Sequence, residues 1–269
     1  MDGELSWLQV FWLAIIQGIT EFLPVSSSGH LILMPQLFDW PDQGLAFDVA
    51  VHVGTLLAVM IYFRQDIWLM TRDWSLSIVQ RQPTSNSRLA WMIIFGTLPA
   101  VFLGFLINNS LEEALRNPIL IAATTIGFGA LLWWSDVKGK RERDEHTLSY
   151  KDIAIIGFAQ ALALIPGTSR SGITITAGLL IGLTRNAAAR LSFLLSIPLI
   201  LGAGLLKLND LIKSEMPVHW DILIGGALIA FVSAYLVIAL FLKWINQIGM
   251  APFAWYRFAL GLLLLYIFI

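Results

Sequence analysis

The chain has 269 residues, 57% of them hydrophobic and 13% charged, with a formal net charge of −1 and a mean hydropathy of +0.75. That balance lies outside the range of soluble domains and inside that of polytopic membrane proteins, and it carries no basic excess for nucleic acid. The absence of cysteine excludes disulfides, thiolate metal sites and Cys nucleophiles, and leaves the redox compartment open.

The first apolar stretch, about 5–38, follows Asp2 and Glu4 with no Lys or Arg and has no small-x-small cleavage site after it, so a removable signal peptide is not expected. It is cut near its middle by Pro24-Val-Ser-Ser-Ser-Gly29. A span of about 47–63 follows, then a loop holding Arg64, Arg72, Arg81 and Arg88, then spans of about 90–107 and 118–135 around a loop whose basic residue is Arg116. The next loop carries Lys138, Lys140, Arg141, Arg143 and Lys151, and reads as a solvated linker. A second broken stretch, about 153–184, is cut by Pro166-Gly-Thr-Ser-Arg-Ser-Gly172. Spans of about 190–206, 221–242 and 252–268 complete the chain, with Lys207 and Lys213 after the first of these. Each full span has the roughly 17–25 residues that a bilayer crossing needs. Trp7, Trp12, Trp40, Trp133, Trp134, Trp220 and Trp244 lie near segment ends, where interfacial anchors belong.

The two broken stretches share one motif. Gln17 to Gly29 overlies Gln160 to Gly172 without a gap, at an offset of 143 residues. Their turns expose backbone groups that lipid cannot satisfy, so at membrane depth they must be shielded by protein or line a wet cavity. Each stretch is therefore expected to be a hairpin that enters the membrane and turns back. Basic loops stay cytoplasmic, which places both termini outside; the first hairpin then enters from the outer face and, three spans later, the second enters from the cytoplasmic face. The expected fold is an all-α polytopic membrane protein: six full transmembrane helices plus two re-entrant helical hairpins in an inverted-topology repeat. Repeat 1 covers about 1–135, the cytoplasmic linker about 136–152 and repeat 2 about 153–269, in a single membrane domain.

The two copies differ in charge. Arg170 lies in the second turn, and a guanidinium at membrane depth costs at least about 2.5–3.5 kcal/mol, so it needs a partner and a purpose. Thr168, Ser169, Ser171, Gly172 and Thr174 surround it with hydroxyls and open backbone, and the planar fork of Arg suits phosphate oxygens. A structural ion pair with Glu21 or Asp48, or an Arg that reaches the interface, is the alternative. In the first copy, Ser26, Ser27, Ser28, Gly29 and His30 precede an apolar run, as at a helix start, whose free N–H groups seat anions. His30 lies close enough in sequence to act as acid or base on one of the serines. Gln17 and Glu21 share a helix face and could hold a hard divalent cation, Mg2+ or Ca2+, completed by water and phosphate. Glu21 could equally be a general base, or the counter-ion of Arg170. Asp48 and His52 also share a face, with Asp48 the better candidate for the site.

These residues resemble the signature motifs of the bacterial undecaprenyl-diphosphatase, or bacitracin-resistance, family. The likeness rests on Gln17-Gly-Ile-Thr-Glu21, Phe22 to His30, Pro166 to Thr174, Ala189 to Pro198 and Pro252 to Phe258, and extends over nearly the whole chain. The resemblance implies hydrolysis of undecaprenyl diphosphate to undecaprenyl phosphate and inorganic phosphate, recycling the lipid carrier of cell-wall synthesis. It implies a bacterial inner-membrane enzyme with a periplasmic active site and a divalent cation. By motif, its acidic helix falls on Gln17 and Glu21, its serine and histidine on Ser27 and His30, and its arginine on Arg170 flanked by Ser169 and Ser171. The family tolerates Glu or Gln at the first acidic position, so Gln17 shifts any metal burden onto Glu21. The reading makes Ser27 the nucleophile, His30 its base, and a polyprenyl diphosphate lipid the partner within the bilayer; direct attack by water activated by His30 or Glu21 fits the same residues. The rival is an inverted-repeat transporter or flippase for a phosphorylated lipid or solute. Whether the chain is a monomer or a homo-oligomer is left open.

Overall fold

The computed structural model describes residues 5–106, 117–213 and 219–268. Arg116, expected in the loop before the third span, lies outside them, as do the side chains of Ser28 and Lys213. The described residues are helical, with one isolated bridge between Arg143 and Leu183.

Six helices are long and apolar enough to cross a membrane: α3 (Gly44–Tyr62), α5 (Ser85–Leu106), α6 (Pro118–Lys138), α9 (Arg185–Lys213, apolar over Arg185–Lys207), α10 (Trp220–Ile248) and α11 (Ala251–Phe268). Each of the six expected spans falls on one of them, about 47–63 running one residue past Tyr62 and about 90–107 ending one residue outside the described residues. The start of α6 shows the local logic: Asn117 accepts from the N–H groups of Ile119 and Leu120, while Pro118 at the first helical position has no N–H to leave unpaired.

The two broken stretches are helix–turn–helix units. In the first, α1 (Trp7–Thr20) leads through a turn into α2 (Ser27–Phe38). In the second, α7 (Tyr150–Ala161) and a 3₁₀ turn (Leu162–Leu164) lead into α8 (Arg170–Leu180). Their correspondence runs beyond the motif. Ser6 caps α1 in a capping box with Gln9, and Ser149 caps α7 in a capping box with Asp152. Both members of one box lie 143 positions from their counterparts. The second helices start at Ser27 and Arg170, also 143 apart, and the residue before each has positive φ: 76° at Ser26 and 70° at Ser169. A non-glycine residue held there costs about 1–3 kcal/mol, and a local interaction must offset it. At Ser169 that interaction is the cap, since its Oγ accepts from the Gly172 N–H at 3.1 Å.

Close backbone approach packs these units against the spans. A Cβ on Gly18 would lie 1.9 Å from Ser233 Oγ of α10, and one on Gly157 would lie 2.9 Å from the Gly96 carbonyl of α5. Small residues permit such contacts, the chief source of helix association where lipid surrounds the bundle. A buried aromatic column then supports the site: Phe22 meets Phe193 at 5.2 Å, and Phe193 meets Phe241 at 5.7 Å. Six of the seven tryptophans expected as anchors, all but Trp40, are exposed.

Two regions differ from expectation. The loop after the first span forms a helix, α4 (Arg64–Gln80), with Trp68, Leu69, Leu76, Ile78 and Val79 exposed. The linker is a strap, mostly exposed but tied to the bundle at a few points. Within it Glu145 is buried and receives Arg190 at 2.6 Å, while Arg143 reaches Asp152 at 2.7 Å and the Ile181 carbonyl at 3.0 Å.

Candidate active site

Both turns supply one polar cluster. Glu21, at the end of α1, is buried, with its two oxygens divided between the two copies of the motif. Oε2 accepts from Ser27 Oγ at 2.7 Å and from Gln17 Nε2 at 3.0 Å, both in the first copy of the motif. Oε1 accepts from Arg170 Nη2 at 2.8 Å across 149 residues of sequence. The site forms because the first turn presents Glu21 at the end of α1 and Ser27 at the start of α2, while the second presents Arg170 at the start of α8.

Arg170 is nearly enclosed, with its side chain 11% exposed. Nη1 donates to the Ser192 carbonyl at 3.1 Å, and the guanidinium carbon lies 5.9 Å from the Phe22 ring centroid. These bonds use two of the five guanidinium N–H groups. The others retain donor capacity for an anion. Ser171 Oγ donates to the Leu23 carbonyl at 2.8 Å, tying the second turn to the first, and lies 3.2 Å from Ser169 Oγ. The ion pair named as the alternative for Arg170 is thus present, and it falls within the hydroxyl cluster expected of a phosphate site.

His30 is held apart from Ser27. Its Nδ1 lies 2.7 Å from the Ser26 carbonyl, which can only accept, so Nδ1 carries the proton. The other nitrogen, Nε2, then accepts from the Tyr256 hydroxyl at 2.5 Å, and the two rings stack. The physical reason is helical spacing: the carbonyl of Ser26, the residue just before α2, lies four residues back, within reach of the ring. Ser27 turns instead to Glu21. Among the described hydrogen bonds Ser27 is not paired with His30; its hydroxyl donates to Glu21.

The opening of α3 reverses another expectation. Asp48 accepts from Gln43 Nε2 at 3.1 Å, whereas His52 is the member of that pair facing Glu21, with Nε2 at 3.8 Å from Oε2. Its Nδ1 donates to the Asp48 carbonyl at 2.7 Å.

Comparison with known proteins bears on this geometry. A profile described as Bacitracin resistance protein BacA matches residues 10–263. The chain belongs to that family. Its relatives include an Undecaprenyl-diphosphatase 2 of Stutzerimonas stutzeri (strain A1501), 58% identical over 97% of this chain and 98% of that protein. An Undecaprenyl-diphosphatase of Alteromonas mediterranea is 58% identical over 97% of this chain and 98% of its own length. Another from Nitrosococcus oceani is 56% identical over 98% of this chain and all of its own.

Not every family-motif position faces the cluster. Gln17, Glu21, Ser27, Arg170, Ser169 and Ser171 gather at it. Thr174 lies behind it, with Oγ1 bonded to the Arg170 carbonyl and Ser192 Oγ. The Gly172 N–H is taken by the cap, and Gly29 packs beside Ser26. Thr168 is buried, with its carbonyl accepting from Arg257 at 3.0 Å and its hydroxyl unpartnered. Ser28 has no described side chain. Tyr256 and Arg257, within the Pro252 to Phe258 motif, received no role from the sequence, and His52 was ranked behind Asp48. Arg257 had a usable signal, a guanidinium inside an apolar span, the same reasoning that singled out Arg170.

Among the described residues, no group of three or more His, Cys, Asp or Glu side chains could hold a metal. Gln17 Oε1 is buried without a hydrogen-bond partner beside Glu21. One carboxylate and one free amide oxygen fit a hard cation that takes its remaining ligands from phosphate and water.

Proposed function

We propose that this chain hydrolyses undecaprenyl diphosphate to undecaprenyl phosphate and inorganic phosphate in a bacterial inner membrane. The names of full-length relatives at 56–58% identity support the substrate. The observation that carries the chemistry is the chain of contacts from Ser27 through Glu21 to Arg170, joining a hydroxyl, a carboxylate and a phosphate-binding guanidinium.

In this reading the prenyl tail stays in hydrocarbon and the diphosphate enters between the two turns. Ser27 Oγ attacks the terminal phosphorus and its proton passes to Glu21. The bond to the bridging oxygen breaks, and that oxygen leaves on undecaprenyl phosphate. Water then attacks the phosphoserine, releasing inorganic phosphate and restoring the Ser27 hydroxyl. Arg170, with Ser169 and Ser171, stabilises charge as it shifts toward the bridging oxygen. Gln17 Oε1 and Glu21 would hold a Mg2+ or Ca2+ ion, which supplies further neutralisation of phosphate charge when bound.

The same reading extends to topology. The recurring 143-residue offset in caps, helix starts and positive-φ serines supports two re-entrant hairpins related by an internal repeat. An odd number of long apolar helices between the hairpins, α3, α5 and α6, supports an inverted second copy. Loop charge supports a periplasmic side for both termini and the reaction.

The test is phosphate release from undecaprenyl diphosphate by purified protein in detergent. Arg170→Lys keeps a charge but replaces a fork with a point donor, and is expected to lower kcat/KM by about 10²-fold or more. Near-normal turnover in that variant would remove Arg170 from the phosphate site.

A further inference from the structure

Arg257, in α11, heads the large side chains with no exposure. Among the described residues it pairs with no carboxylate; its acceptors are backbone carbonyls on three separate segments. Nε donates to Thr125 at 3.0 Å and Nη2 to Thr124 at 3.5 Å, both on α6. Nη1 reaches Pro24 of the first turn at 3.3 Å and Thr168 of the second at 3.0 Å. Nη2 also takes Gly167 of the second turn at 2.8 Å. All five N–H groups of a guanidinium are used this way.

The Pro24, Gly167 and Thr168 carbonyls lie where broken helices leave backbone acceptors without helical partners, a condition that membrane depth does not tolerate. The second turn is shaped to admit the guanidinium. A Cβ on Gly172 would lie 2.9 Å from Nη1, and Gly167 has a φ of +84°, which glycine adopts without strain.

We propose that Arg257 is a positioning residue: it fixes the Pro24 turn against the Gly167–Thr168 turn, so that Ser27 and Glu21 from one meet Arg170 from the other. It touches none of the reacting groups. The two copies also meet directly through Ser171 Oγ to the Leu23 carbonyl and Arg170 Nη2 to Glu21 Oε1, both on the side of the reacting groups. Arg257 adds a further attachment to the backbone of the turns themselves, anchored to α6. The role deepens the phosphatase reading and rests on it for its kinetic consequence.

The natural absence of cysteine permits a direct test. Ile19→Cys and Leu162→Cys, 38% and 43% exposed and near the two turns, carry spin labels for a pulsed distance measurement. With Arg257 present, the distance distribution is expected to be narrow. In Arg257→Met it broadens, and kcat falls on the order of 10²-fold while KM stays within about threefold, because misplacement affects the transition state more than binding. Arg257→Lys, with three donors on one atom, recovers part of both. A narrow distribution in the Met variant overturns the proposal at any turnover, and so does a broad one with unimpaired kcat. If the Met variant does not fold, the Lys variant decides: broadening with reduced kcat supports the role, and an unchanged distribution rejects it. Failure of the unsubstituted protein to release phosphate would instead reject the phosphatase reading, leaving the distance comparison to judge the clamp.

Discussion

Ser27 and His30 lie three positions apart on α2, yet different partners hold them. Ser27 is bound to Glu21 and His30 to Tyr256, so their substitution should separate two effects. Ser27→Ala should abolish phosphate release while retaining lipid diphosphate binding, since Arg170 and the second-turn hydroxyls remain. Release at an undiminished rate by the purified Ala variant would exclude the phosphoserine route. Tyr256→Phe removes one donor to His30 Nε2 but keeps the stacked ring, and should lower kcat by less than about tenfold. A loss as deep as that of Ser27→Ala would instead place the Tyr256 hydroxyl among the reacting groups. Much of this cluster was legible because Glu21, Ser27 and Arg170 are polar residues embedded in apolar sequence at a repeated spacing. The direction of each hydrogen bond was not legible. Sequence proximity favoured His30 as the base for Ser27, but ring geometry on a helix favours the carbonyl one turn back.

Segments were legible where their apolar character was continuous. All six spans were, because each is long, uniformly apolar and bounded by charge or breaker residues. The helix α4 was not, because its arginines read as a basic loop. The anchoring of the mostly exposed strap was not legible for a similar reason: which of its charges find partners depends on the fold. Burial opposes ionisation of Asp152 in this strap, but hydrogen bonds from Arg143, the Ser149 backbone and the Ser149 hydroxyl, with the Arg143 charge, outweigh it. Its carboxyl therefore falls from an ordinary 3.8 to about 2. A folded value below the unfolded one contributes stability that is present above about pH 4 and is lost as pH falls toward 2. Asp152→Asn should then lower stability by on the order of 2 kcal/mol at neutral pH. The difference in melting temperature from the unsubstituted protein, measured in detergent, should shrink by about half at pH 3. A difference independent of pH would mean that the Asp152 contribution is not ionic.

Ion pairs away from the site, among the described residues, collect the ends of several helices. Arg185 at the start of α9 binds Asp136 at the end of α6 at 2.6 Å, and the same carboxylate accepts from the Met250 N–H between α10 and α11 at 2.9 Å. Arg190 reaches Asp66 of α4 at 2.8 Å as well as Glu145 of the strap. These contacts bring α4, the strap, the start of α9 and the α10–α11 turn to one end of the bundle, which is also where the basic residues of the loops concentrate. Cytoplasmic retention of basic loops would place this end inside the cell and the turn between α2 and α3 outside. Two single-cysteine variants test that placement against a chain with no background thiol. Asp42→Cys should react with a membrane-impermeant maleimide in intact cells, and Lys140→Cys only after permeabilisation. The reverse pattern would turn the molecule over and move the proposed phosphate release to the cytoplasm. Labelling of both in intact cells would break the odd number of crossings between them, and the inverted repeat would fall with it.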